Sequence, residues 1–207
     1  MRTALGNPLK RRTILAVLPA LVLTGSAAFA AIGAIGKAFD VRGKVVARQV
    51  KDVRDLASGS ALMLKDSIET QDRSFARLEL DGGTTIRLGS MARLLLDQYV
   101  VNAGGVLELG DGAILLDRAA NLPKIDLSIQ SRFGLIAVRG TRFFAGPSHG
   151  VFGVFVVRGV VEVKAAGLTR RLAAGDGVDI AAEGQPPGEV KKWKKARIDE
   201  ALASVGL

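Results

Sequence analysis

Cysteine is absent from the 207 residues, which excludes disulfides and thiolate metal sites. Histidine occurs once, as His149, so no zinc site of the usual several-histidine kind can form. Aromatics are scarce, with eight Phe, one Trp and one Tyr. That scarcity, with no recognisable motif, leaves a nucleic-acid binder without its stacking platform. No glycine-rich stretch has the spacing of a phosphate or dinucleotide loop. No cofactor and no metal are therefore expected.

What is abundant is apolar and small. Apolar residues make up 48% of the chain, enough for a buried core, and there are 25 Gly. Many Gly among Val, Leu and Ile point to short strands and frequent turns.

The formal charge of +9 is concentrated at the two ends. Four of the 29 basic residues are Arg2, Lys10, Arg11 and Arg12, and residues 1–30 hold no acid; without them 25 bases face 20 acids. Much of the remaining excess lies at Lys191, Lys192, Lys194, Lys195 and Arg197.

Lys10 to Arg12 precede an apolar run from Thr13 to Leu23, followed by small residues and Ala28-Phe29-Ala30. A positive region, an apolar region and a small-residue cleavage signature are the three parts of a secretory signal, so residues 1–30 read as a signal peptide cut after Ala30. In the other reading the apolar character continues to Ile35 and the segment stays as an inner-membrane anchor. Either way the remainder lies outside the cytoplasm, in the periplasm or an equivalent compartment, because the positive charges stay inside. Arg11-Arg12 fits a twin-arginine export signal as well as an ordinary one.

From Gly43 to about Ile180 the pattern predicts strand after strand. Thr84, Ile86 and Leu88 alternate with Thr85 and Arg87, and Leu78 and Leu80 flank Glu79. Turn formers separate the runs at Asp81-Gly82-Gly83, Gly104-Gly105, Asp111-Gly112, Gly146-Pro147 and Gly175-Asp176-Gly177. The expectation is an all-β domain of many short antiparallel strands over residues 31–182, as a sandwich or a solenoid-like stack. Residues 183–207 read as a Pro/Gly linker and a short basic helix from Glu189 to Ser204, with Trp193, Ala196, Ile198 and Ala201 at helical spacing.

Four segments in order resemble the FecR-domain family. They are an opening made of Asp66-Ser67-Ile68-Glu69-Thr70, Ser74 to Leu78 and Asp81-Gly82-Gly83-Thr84-Thr85-Ile86-Arg87-Leu88, then Val138-Arg139-Gly140-Thr141-Arg142-Phe143, Val154 to Val163 around Gly159, and Leu172 with Gly175. Lys65 stands where the family has Gly, and Gly83 reads as one inserted residue. The resemblance implies an extracytoplasmic binding or scaffold domain in envelope signalling or assembly, or a membrane-anchored signal relay. The family's membrane regulators carry a cytoplasmic sigma-factor-binding domain and a further C-terminal domain. Only 12 residues precede the apolar run here and about 27 follow Ile180, so direct sigma-factor binding is not expected.

The motif residues Asp66, Thr70, Asp81, Gly82, Thr84, Val138, Arg139, Gly140, Thr141, Phe143 and Gly159 are expected to be structural. Gly140 marks a bend, after which Thr141 satisfies a free backbone donor and Arg139 pairs with a carboxylate. His149, at a hairpin tip in Gly146-Pro147-Ser148-His149-Gly150, has no acid near it in sequence and builds no catalytic triad. Asp66, Asp72, Asp81, Asp111, Asp117 and Asp176 are the carboxylates available for a glycosidase pair, but their neighbours explain them as turn residues. No catalytic residue is assigned. Lys191, Lys192, Trp193, Lys194, Lys195 and Arg197 form a candidate contact with an anionic surface such as a wall polymer, and an envelope protein is the other candidate partner.

Overall fold

The computed structural model describes residues 33–50 and 52–207. The expected export signal, residues 1–30, lies outside them. All but one of the regular elements in the described chain are strands. The chain opens with β1 (Ala34–Arg42), β2 (Val45–Gln49), β3 (Asp52–Asp55), β4 (Ala61–Met63) and β5 (Ser67–Thr70). Next come β6 (Phe75–Leu80), β7 (Thr84–Leu88), β8 (Arg93–Val100), β9 (Gly104–Asp111) and β10 (Ile114–Arg118). Then follow β11 (Asp126–Ser131), β12 (Gly134–Val138), β13 (Arg142–Ser148), β14 (Val151–Arg158) and β15 (Val160–Ala165). The chain ends with β16 (Leu168–Ala173), β17 (Asp176–Ile180), β18 (Lys191–Lys192) and helix α1 (Lys195–Ala203).

These strands form two nine-stranded sheets. The first has the order β18-β17-β14-β13-β10-β7-β6-β1-β4 and the second β16-β15-β12-β11-β9-β8-β5-β2-β3. Every neighbouring pair is antiparallel except β9 and β11, which run parallel. The architecture is the expected all-β one, with that pair as its mixed element.

Period-two alternation is what stacks the sheets. In β6 and β7, Leu78, Leu80, Ile86 and Leu88 are buried while Arg77, Glu79, Thr85 and Arg87 are partly exposed. The inward residues of both sheets join in one core, including Ile68, Leu94, Leu107, Ile129, Phe143, Val154 and Val161.

The chain passes between sheets at corners, and nearly every corner holds one left-handed residue. Gly43, Gly112, Gly159 and Gly175 stand at four of them. Gly140 (φ 62°) is the corner between β12 and β13, so its bend joins two sheets and does not lie within a strand. Lys65 (φ 69°) occupies the corner between β4 and β5. The backbone there has the conformation that glycine adopts without strain, which accounts for Gly as the family residue.

The C-terminal segment differs from the expected helix over Glu189–Ser204. Lys191 and Lys192 add a two-residue strand to the edge of β17, and the helix starts only at Lys195. The backbone of Lys191 and Lys192 pairs with Asp176 and Gly177, a local attraction that helical periodicity does not register. Trp193, Ala201 and Val205 then pack on Leu115, Phe144 and Phe155, a second apolar cluster on the outer face of the first sheet.

Candidate functional site

The motif carboxylate Asp66 is fully buried. It accepts hydrogen bonds from Gln49 Nε2 (2.9 Å) and the Met63 amide (2.8 Å), and it pairs with the Arg54 guanidinium. These contacts tie β2, β3 and the β4–β5 corner together. Thr70 Oγ1 donates to the Gly89 carbonyl (2.6 Å) and accepts from the Ala92 amide (2.8 Å), closing the corner between β7 and β8.

Around Asp81, Gly82 and Thr84 the organising residue is Arg118, which sequence reasoning missed. Its side chain is almost wholly buried. Nη1 donates to the Gly82 carbonyl (2.6 Å) and Thr84 Oγ1 (3.1 Å), and Nη2 to the Pro123 carbonyl (2.8 Å). A buried charge is tolerated only with such saturation. Tyr99 donates its hydroxyl to the Asp81 carbonyl (2.5 Å), and burial pushes its pKa up.

Val138 and Phe143 belong to the core, and Arg139 pairs with Asp126 at 3.3 Å in an exposed position. Thr141 departs from expectation. It is fully buried, and among the described residues its Oγ1 has no hydrogen-bond partner. Its methyl group instead faces Gly159, where an added Cβ would lie 2.7 Å from Cγ2. Close packing of two corners, not capping, sets that side chain.

His149 sits at the β13–β14 tip as expected, but an acid is near: Nε2 lies 2.9 Å from Glu200 Oε2. Sequence reading missed Glu200 because 51 positions separate the two. Both side chains are more than half exposed, and the neighbouring Ser148 hydroxyl is engaged by Arg197 at 2.9 Å. Among the described residues, no group of three His, Cys, Asp or Glu is placed to hold a metal ion. The candidate carboxylates have cations beside them: Asp72 with Arg73, Asp111 with Arg93, Asp117 with Arg158, and Asp176 with Lys192.

The basic C-terminal cluster is divided. Trp193 is buried, and Arg197 stacks on it at 3.7 Å while binding both Asp179 oxygens at 2.7 and 3.1 Å. Lys191, Lys192, Lys194 and Lys195 remain exposed.

Two features of the second sheet stand out as places for a partner. One edge ends in β16, six residues long, paired only with β15; the opposite edge, β3, is four residues long and reads Asp-Val-Arg-Asp. A groove of about 840 Å³ crosses β11, β12 and β15 of that sheet and reaches Arg171 of β16, with Lys124, Asp126, Arg139, Gly159 and Glu162 also among its lining residues. Arg139 and Gly159 of the motif thus border a surface as well as a corner.

The family model described as FecR protein matches residues 66–162, from the buried carboxylate Asp66 to Glu162 of β15. Two crystal structures of a candidate anti-sigma factor from Parabacteroides distasonis resemble it, with TM-scores of 0.53 and 0.54 at 16% identity. Each alignment covers 66% of this chain and 64% or 63% of the other, so the chain spans less than two thirds of those proteins. At that identity the likeness is one of fold. No curated protein matches the chain.

Proposed function

We propose that this protein is a non-enzymatic, extracytoplasmic FecR-type binding module of envelope signalling or assembly, capturing an envelope protein along the β16 edge. The observation that carries the reading is the open outer edge of the six-residue strand β16, next to the groove. An extended segment laid there gains main-chain hydrogen bonds, and the groove takes its side chains. Neither nucleic acid nor a sigma factor is its direct partner. The motif residues hold the corners that present this edge.

Export by a signal cut after Ala30 fits the reading. β1 takes up Ala34 and Ile35, with Ile35 buried in the core, so an uncleaved membrane anchor has to end before them. Among the described residues no helix is long and apolar enough to cross a membrane. Intact mass of the native protein decides between the two: a start at Ala31 is expected, and retention of residues 1–30 favours the anchored relay.

The edge is tested by pull-down of tagged protein from envelope extract, repeated with Thr169→Pro and Arg170→Pro. Alternate residues of an edge strand point their amides outward, so one of these prolines removes a free donor and blocks an added strand. Loss of a specific partner in one variant is expected, with binding by His149→Ala unchanged within a few-fold. A partner retained by both proline variants overturns edge capture. A hydrolase activity abolished by His149→Ala overturns the non-enzymatic reading.

A further inference from the structure

Among the described residues, the outer face of the first sheet is only half covered. Trp193 and α1 lie over Leu115, Phe144 and Phe155. The rest of that face carries Lys37, Arg42, Arg77, Arg87, Arg142 and Arg158 against Asp40, Glu79 and Asp117.

These charges are only partly satisfied: Lys37 pairs with Glu79 at 3.7 Å and Arg42 with Asp40 at 3.1 Å, but three acids face six bases. Arg77 and Arg87 are direct cross-strand partners in the β6–β7 hairpin, an arrangement that destabilises a sheet by like-charge repulsion. Arg77 is held by Glu79 at 3.0 Å, whereas among the described residues Arg87 forms no ion pair. Burial lowers the Arg87 pKa, and Arg77, Arg142 and Arg42 add to the effect against Asp40. Arg142 and Arg158 are also cross-strand partners and share one carboxylate, Asp117, at 3.8 and 2.8 Å. The Nε atoms of both are buried without a partner among the described residues. Phe39, 48% exposed, borders the patch with Arg77 over its ring at 4.4 Å.

We propose that this half-face, centred on Arg77, Arg87, Arg142 and Arg158, is a docking surface for an acidic segment of a protein partner. This rests on the binding-module reading and adds a second contact, distinct from the β16 edge on the other sheet. Charge complementarity identifies the occupant. Five of the six cations are arginines, whose planar forks match carboxylates bidentately. Arg77 and Arg142 are each only 33% exposed, with Phe39 and Phe75 flanking Arg77, so the forks sit low on a rigid pleat. Fixed, recessed forks suit carboxylates delivered by side chains that reach down to the sheet. A lipid surface is better met by long exposed lysines. A carboxylate between Arg77 and Arg87 removes their repulsion when the partner binds.

The test uses a labelled oligoglutamate peptide as probe, with phosphatidylglycerol–phosphatidylcholine vesicles in parallel, at physiological salt. Arg87→Gln and the triple variant Arg77→Gln/Arg87→Gln/Arg142→Gln are compared with the charge-matched Arg48→Gln/Arg93→Gln/Arg132→Gln. The triple face variant is expected to weaken peptide binding about tenfold or more, and the control to stay within about twofold. Arg87→Gln alone is expected to weaken binding while leaving the melting temperature unchanged or raised, since it removes a repulsion and no bond. This keeps the test valid if the triple variant fails to fold. Equal losses in face and control variants, binding to vesicles but not peptide, or a lowered melting temperature without weakened binding by Arg87→Gln each overturn the proposal. If the face variants keep an envelope partner that a β16 proline variant loses, the acidic-segment surface falls and the binding module stands.

Discussion

Gly177 of β17 faces the indole of Trp193 so closely that a Cβ on the glycine would overlap the ring. Gly153, on the neighbouring strand, forms the other side of the slot, where a Cβ would lie 2.8 Å from Cη2. Two glycines on the outer face thus make room for the one tryptophan, and Phe155 stacks on it at 5.2 Å. Trp193→Ala is expected to cost about 3–5 kcal/mol, measured by denaturant melting. Gly177→Ala should act in the same direction by unseating the ring. In both variants trypsin should cut at Lys191 or Lys192 faster than in the native protein. Unchanged stability and cleavage would show that the slot does not anchor the C-terminal segment.

Asp66→Ala should destabilise the domain by about 2–3 kcal/mol, since it leaves a partly buried guanidinium and the Met63 amide without their acceptor. Asp66→Asn should cost less, because its carbonyl still accepts one of the three bonds. Chemical denaturation with both variants checks the order.

Gly140→Val should cost about 1–3 kcal/mol through backbone strain alone. The φ of 62° requires the left-handed region, while nothing lies within 4 Å of an added Cβ. Gly140→Asn, which tolerates that region, should therefore recover most of the loss. Equal midpoints for native, Val and Asn proteins would remove any special role for the corner.

Asp176 gives the acid limb of stability a defined contributor. The Lys192 ammonium, and then the Ala173 amide, hold its carboxyl below the usual carboxylate range. A depressed pKa means that the contribution is present above the unfolded-state value and is lost as pH falls through the folded-state value. Melting temperature should therefore fall on acidification through that window, and Asp176→Asn should flatten part of the fall. The effect is about 1 kcal/mol at most, because Lys192 is largely exposed.

Local patterning determined most of the strands and hairpins between Gly43 and Ile180 and their inward sides, but not β1, which precedes that stretch, nor β18, which follows it. Alternation from Arg77 to Arg87 around Asp81-Gly82-Gly83 shows that Leu78 and Ile86 share a face and that Arg77 and Arg87 share the other. The motif segments likewise made the FecR-like character legible, since each is a short stretch with its own turn chemistry. What could not be read there depends on contacts between residues far apart in the chain. Arg118 reaches Thr84 across 34 positions, and His149 meets Glu200 across 51. Trp193 has helical spacing with Ala196 and Ala201, yet its partners are glycines on two strands of the sheet. Charge counts placed the basic excess at the chain's ends, whereas sheet topology gathered Arg77, Arg87, Arg142 and Arg158 onto one face. Periodicity is set by neighbours along the backbone and so is written in the sequence. Which strands lie side by side, and hence which charges meet, is decided only when the two sheets close on their common core.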